Sequence, residues 1–296
     1  MLSVATLLSR VMGLVREQVF AALLGAGFYG DAFTMAFRLP NLLRDLFAEG
    51  ALSAAFQPAF IEQKKHHSLE AAYRLANLVM TVLLLVVGGL VLLGIACSPQ
   101  LVDSWAAGYA QTPGKAELTV LLTRIMMPFL LLVSLAAVAM GMLNAQQRFV
   151  APALAPALFN LATIVVGGLL WGLKVGRTRG AAIAWAVATL LGGALQLLAQ
   201  EISQTIERAR GVGVAGAWIE PLESAVQTVG QLTMQLAQKG LAGEVEAMLL
   251  HSADYLELFS ILIVGWQWLL QAAVVRGRAC SRRRAPTAPA HWARPP

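Results

Sequence analysis

The sequence predicts an all-α fold: a polytopic membrane bundle of about six transmembrane helices with a short C-terminal helical hairpin. Three observations predict it. Of 296 residues, 58% are hydrophobic and 13% charged, where a soluble domain carries about 25% charged residues. The apolar residues gather into runs long enough to cross a hydrocarbon core of about 30 Å at 1.5 Å per residue. The charges fall mainly between those runs, with two exceptions near the N-terminus that carry the functional argument.

Ser3 to Leu24 reads as the first helix and Asp31 to about Phe60 as the second, kinked or broken near Pro40. Between them Gly25-Ala26-Gly27 and Gly30 predict a tight turn. Leu75 to Cys97 is a span of Leu, Val and Gly without a charge. Leu118 to Leu143 follows, entered past Arg124 and broken by Pro128. Pro152 to Leu173 carries Pro152 and Pro156 in its first turns, where a missing donor does little harm. Gly180 to Ala199 contains Gly192-Gly193 and several alanines, which suit close helix packing in lipid.

Four regions follow. Residues 1–200 form the membrane lobe. Glu201 to Gly216, with its Gly-rich end, reads as a linker. Residues 217–275 are helical, with Leu222, Val226, Val229, Leu232 and Leu236 at helical spacing. Within that region Tyr255 to Val275 is apolar enough for a seventh span, but Glu257, Gln267 and Gln271 favour a helix buried against a partner. Residues 276–296 are rich in Arg, Pro and Ala and are expected to be disordered.

The net charge is +6. Much of the excess lies in the short C-terminal tail, so it points to anionic lipid headgroups rather than nucleic acid. Loop charges lean toward a cytoplasmic N-terminus, with Lys64, Lys65, Arg74, Arg148, Arg208 and Arg210 inside and Lys115, Lys174, Arg177 and Arg179 outside. Cys97 and Cys280 are too few and too far apart for a disulfide framework or a metal knuckle. No basic region precedes the first apolar stretch, so no typical signal peptide is expected.

The chemistry lies on the first two helices. At 100° per residue Ser3, Thr6, Arg10, Gly13 and Glu17 form one stripe, flanked by Ser9 and Arg16. Asp31, Thr34, Arg38, Asn41, Asp45 and Glu49 repeat the device on the second helix, with Arg44 about 60° off Asn41. An arginine at mid-bilayer costs roughly 2.5–3.5 kcal/mol on insertion scales, so these charges must face protein or water. The pattern implies a wet cavity walled by Arg10, Arg16, Arg38 and Arg44, with Asp31, Asp45, Glu17 and Glu49 as candidate counter-ions. Guanidinium groups hold phosphate or carboxylate in a two-pronged fork, so the cavity suits an anionic headgroup. The bland reading is that Arg16 with Glu17, and Arg44 with Asp45, snorkel at an interface. Arg10, in mid-span on the stripe, resists it.

His66-His67 lies in a Lys-rich loop and reads as solvated rather than metal-binding. Gly211 to Gly216 superficially has the spacing of a dinucleotide loop, but no strand precedes it. No nucleophile–base constellation is present, and no enzyme activity, metal or cofactor is expected.

The segments Ser9-Arg-Val-Met-Gly-Leu-Val-Arg16, Gly25-Ala-Gly27, Asp31-Ala-Phe33, Phe37-Arg-Leu-Pro-Asn-Leu-Leu-Arg44, Phe47-Ala-Glu-Gly-Ala51 and Ala55-Phe-Gln-Pro58 resemble the opening of MurJ/MviN-type lipid II flippases. Pro128, Leu143-Asn144, Arg148-Phe149 and the Ala151-to-Pro156 stretch with Asn160 also fit. The resemblance covers roughly residues 1 to 200. It implies that Arg10, Arg16 and Arg44 line a central cavity and hold a lipid pyrophosphate, with Asp31 functional beside them and Arg38, Ser9 and Asn41 as further binding candidates. It also implies alternating access by two rocking lobes in the bacterial inner membrane, with lipid II as the cargo. Such flippases have two lobes, and this chain supplies one, so a second lobe or a second copy is the expected protein partner. The tail segments Trp218-Ile-Glu-Pro-Leu222, Tyr255-Leu-Glu-Leu-Phe259 and Gly265-Trp-Gln-Trp-Leu269 resemble the C-terminal helical extension of certain acyl-CoA dehydrogenases, without a flavin site or catalytic carboxylate. The rival readings are a non-transporting fragment and an accessory subunit that docks on such a flavoprotein.

Overall fold

A computed structural model describes residues 2–44, 51–242 and 250–284, together with 244, 246 and 247. Among these the chain is all helical. The α-helices are α1 (Leu2–Leu23), α2 (Phe28–Arg44), α3 (Ala51–His66), α4 (Leu69–Ala96), α5 (Ser98–Trp105), α6 (Lys115–Ala145), α7 (Val150–Gly172), α8 (Arg179–Gly211), α9 (Gly216–Leu241) and α10 (Ser252–Arg284), with a 3-10 turn at Ala107–Gln111. Among the described residues five helices are long and apolar enough to cross a membrane: α4, α6, α7, α8 and α10. Neither α1, with its three charges, nor α2, with 17 residues, belongs to that set.

The centre of the bundle is α8, packed between α6 and α7. Small residues permit the approach. A Cβ added at Gly192 would stand 2.9 Å from the carbonyl oxygen of Phe159, and one at Gly193 2.9 Å from Cδ2 of Phe129. Gly167 of α7 is equally tight, with Trp185 and Val19 each 2.5 Å from where its Cβ would be. Without a hydrophobic drive between helices in lipid, such backbone approach supplies the packing energy. One core cluster joins the α1–α2 turn to α6 and α8 through Leu23, Phe33, Leu122, Met126 and Trp185. A second joins α3 and α4 to α6 through Phe60, Tyr73, Val87, Met127 and Met142. The turn itself needs glycine: Gly25 and Gly27 have φ of 68° and 126°, a region L side chains avoid.

The two ends of the bundle are tied differently. At one, the Arg177 amide donates to the Leu23 carbonyl at 2.8 Å and Lys115 pairs with Asp31 at 2.8 Å. At the other, Arg208 Nη2 of α8 donates to both carboxylate oxygens of Glu70 at 2.9 and 3.1 Å, and its guanidinium lies 4.8 Å from the Tyr73 ring. Around it Glu207 pairs with Arg148 and Arg210, and Arg210 with Glu223 of α9. Lys64 and Lys65 close α3 at this end. This is the end that the loop charges lead one to expect in the cytoplasm, although Lys115, Lys174, Arg177 and Arg179 stand at the other.

The structure corrects several expectations. The second helix is not broken at Pro40: Phe33, Ala36 and Pro40 are buried together, and packing on α6 holds the helix through to Arg44. Residues 201–211 are not linker but the last turns of α8, buried through Ile202, Thr205, Ile206 and Arg208, leaving 212–215 as the connection. Residues 276–284 are helical, an extension of α10; 285–296 lie outside the described residues. The apolar run from Tyr255 is not wholly buried against a partner. Leu262, Leu269 and Ala273 pack on α8 and α9, whereas Leu256, Ile261, Val264, Trp268 and Val275 are exposed, the pattern of a lipid-facing span.

Gly192→Val should destabilise the bundle by about 1–3 kcal/mol through overpacking, while Gly88→Val, where an added Cβ meets nothing within 4 Å, should be silent. Thermal unfolding in detergent distinguishes them. Arg208→Ala should lose about 3 kcal/mol by leaving the half-buried Glu70 without its partner. Arg208→Met with Glu70→Leu should recover most of that loss in the same assay.

Candidate functional site

From the glycine turn α1 and α2 diverge. Among the described residues α1 packs along α7 and α2 along α6, rather than on each other. Their bases are wedged by three rings: Phe20 stands 5.2 Å from Phe33 and 5.6 Å from Trp185 of α8. Above that wedge a cleft of about 200 Å³ opens, lined by Arg16, Glu17, Phe20, Phe33, Thr34, Phe37, Trp185 and Thr189. Its back wall is α8 and its sides are the two polar helices.

On α1 the expected flank and stripe separate. The Ser9 carbonyl accepts from Asn160 Nδ2 of α7 at 3.1 Å, and Gly13 faces the same amide. Arg16 is one quarter exposed, stacks over the Phe159 ring at 5.4 Å and pairs with Glu17. Arg10 is exposed, as is Glu17. The side chains of Ser3 and Thr6 lie outside the described residues.

On α2 the buried face is Ala32, Phe33, Ala36 and Pro40. Thr34 and Arg38, on the opposite side, are exposed, while Asn41 and Arg44 are half-buried. Thus Thr34 and Arg38 of the expected stripe turn away from α6, whereas Asp31 at its start does not. Asp45 and Glu49, read as counter-ions, lie outside the described residues.

Asp31 is not placed among the arginines. Its carboxylate accepts from Lys115 Nζ at 2.8 Å and from the Gly27 amide at 3.4 Å, and Lys115 lies over the Tyr109 ring at 4.2 Å. It therefore ties the α1–α2 turn to the start of α6. Of the expected counter-ions only Glu17 meets an arginine in the described structure. Sequence reasoning missed Trp185 and Thr189 as wall residues and Phe159 as the ring beneath Arg16. Trp185 and Thr189 sit four apart on α8, yet alanines surround them and no polar stripe marks them.

Fold and cleft define a multi-pass membrane protein that holds ionisable side chains in a groove between helices. Comparison with known proteins gives the family. Residues 20–241 match the family described as Lipid II flippase MurJ. The Lipid II flippase MurJ of Burkholderia cenocepacia is 43% identical over 196 residues, 66% of this chain and 37% of that protein. The probable lipid II flippase MurJ of Rhizobium meliloti is 44% identical over 171 residues, 56% of this chain and 31% of that protein. A solved structure, Lipid II flippase MurJ in an inward closed conformation, superposes with a TM-score of 0.56 at 22% identity, covering 78% of this chain and 54% of that one. The chain belongs to the MurJ family, whose bacterial members place it in the inner membrane, and it spans about a third of the length of these curated relatives. A second match, described as Acetyl-CoA dehydrogenase C-terminal like, covers residues 198–288 and overlaps the first.

If the α2 stripe faces water, single cysteines at Thr34 and Arg38, with Cys97 and Cys280 replaced by serine, should react with a membrane-impermeant maleimide. A cysteine at buried Ala36 should not. Equal protection at all three positions would place the stripe in lipid.

Proposed function

We propose that this chain is the cargo-binding lobe of a lipid II flippase. Arg10, Arg16 and Arg44 engage the pyrophosphate of a lipid-linked peptidoglycan precursor, Arg38 adds positive potential, and Ser9 and Asn41 offer polar contacts. The observation that carries the reading is the cleft between α1 and α2, which has Arg16 in its wall. Arg10 and Arg38 project from the same two helices. A guanidinium in a groove of lowered dielectric binds a phosphate oxygen far more strongly than in water. The apolar rings of Phe20, Phe33 and Phe37 at the base keep the head from sinking further.

No bond is made or broken in this work. Carriage needs the cleft to open alternately to the two sides of the membrane, which in the family resemblance is the rocking of one lobe against another. In the present conformation Arg16 pairs with Glu17. Cargo phosphate would compete with Glu17 for that guanidinium, so the pair acts as a placeholder that keeps Arg16 compensated while the site is empty. Asp31, with Lys115, fixes the turn from which both walls diverge and so sets the width of the cleft.

A second reading is a lobe that binds but does not carry, favoured by the chain's coverage of 37% of its Burkholderia relative. Binding and transport assays separate the two. Purified chain in nanodiscs should bind a lipid-linked pyrophosphate, and Arg10→Ala with Arg16→Ala should weaken binding at least tenfold, each charge-assisted bond contributing about 1.5–3 kcal/mol. Lys64→Gln with Lys65→Gln should change it little. Unaltered binding in the arginine variant would overturn the assignment. Binding without rescue of a flippase-depleted strain would favour the second reading.

A further inference from the structure

The helices α9 and α10 fold back on α8 around a shared core of Ile202, Ile206, Leu222, Leu262 and Leu269, and Trp266 Nε1 donates to Thr205 at 2.8 Å. Where this hairpin meets the α8–α9 turn lies a groove of about 710 Å³ whose lining includes Val212, Trp218, Trp268, Gln271, Val275 and Arg276, with Ala272 and Ala279 among them. We infer that this groove is a binding site for one anionic glycerophospholipid of the cytoplasmic leaflet.

Depth, charge and shape support that occupant together. The apolar run of α10 ends at Val275, so Arg276 stands at the level where lipid phosphates lie. From Arg276 the groove extends toward the bilayer centre to Trp268, about 12 Å along the helix at 1.5 Å per residue. Its walls over that distance are two indoles, Val275 and Ala272, which fit the upper part of an acyl chain. Trp218 and Trp268 are 59% and 62% exposed, so both indoles are open to an incoming acyl chain. The same end carries Arg148, Arg208, Arg210 and Lys64 and Lys65, so its potential draws an anion. Arg148, Arg208 and Arg210 are already paired with Glu207, Glu70 and Glu223, whereas Arg276 heads the groove itself. Gln271, one turn and a half deeper, is placed to donate to an ester carbonyl of a lipid whose phosphate sits on Arg276. The groove does not depend on the α1–α2 cleft. It lies beside the α8–α9 turn, on residues that match the dehydrogenase-like segment.

Native mass spectrometry of the full chain, released from micelles with phosphatidylglycerol or phosphatidylcholine, tests this. The wild type should retain one phosphatidylglycerol in preference to phosphatidylcholine. Arg276→Gln should lower phosphatidylglycerol retention about tenfold and leave phosphatidylcholine unchanged, the effect of losing one charge-assisted bond. Ala272→Trp, which fills the acyl part of the groove, should lower both. Arg10→Ala with Arg16→Ala should leave phospholipid retention as in the wild type, which separates this site from the proposed cargo cleft. Equal retention of the two lipids by the wild type, or undiminished phosphatidylglycerol on Arg276→Gln, would overturn the inference. Displacement of the bound phospholipid by a lipid-linked pyrophosphate would overturn it too, by making the groove a cargo site.

Discussion

A guanidinium inside a bilayer has to be turned toward protein or water, and the arrangement of α1, α2 and α8 follows from that constraint. Arg16 is accommodated by a ring, a carboxylate and a cleft. Phe159 lies beneath it, Glu17 beside it and the opening between α1 and α2 in front of it. Were α1 packed flat against α2, Arg16 would have to leave for lipid or be buried without room for an anion. The divergence of the two helices from the Gly25–Gly27 turn, each resting on a different neighbour, makes the cleft and the arginines mutually dependent.

Central packing keeps that divergence rigid. Because α8 approaches α6 and α7 through Gly192, Gly193 and Gly167, its Trp185 reaches between α1 and α2 and spaces them. The two ends then fix the tilt. Asp31 with Lys115 holds the turn to α6 at one end, and Glu70 with Arg208 holds α4 to α8 at the other. The second pair is the more demanding, since Arg208 is almost fully buried and its Nε has no partner in the described structure. Such a pair contributes specificity of register more than raw stability.

The legible parts of the sequence were those that periodicity governs. The apolar runs placed α6 and α7 within a few residues and found the start of α8 but not its end, and the polar spacing on α2 picked out Thr34 and Arg38, which face away from α6. Tertiary partners were not legible. Asp31 reads as a counter-ion for nearby arginines, but Lys115 is 84 residues away and reaches it only because α6 begins beside the turn. Charge and glycine between 201 and 216 suggested a linker. Yet Gln204, Thr205 and Arg208 find buried partners or places on neighbouring helices, so α8 continues. Pro40 likewise fails to break α2, because the face it occupies is packed. In each case a contact between distant segments outweighed a local signal.

The proposed function rests on arginines that meet pyrophosphate. The most direct measurement is the dipolar coupling between guanidinium nitrogen and phosphorus. It requires the chain with 15N-labelled arginine in phosphorus-free glycolipid bilayers, loaded with a lipid-linked pyrophosphate and read by magic-angle-spinning NMR. Phosphorus-dependent dephasing of arginine side-chain signals is predicted, and it should disappear when Arg10, Arg16 and Arg44 are all replaced by lysine. Dephasing that survives those replacements undiminished, or none in the wild type, would contradict the proposed function.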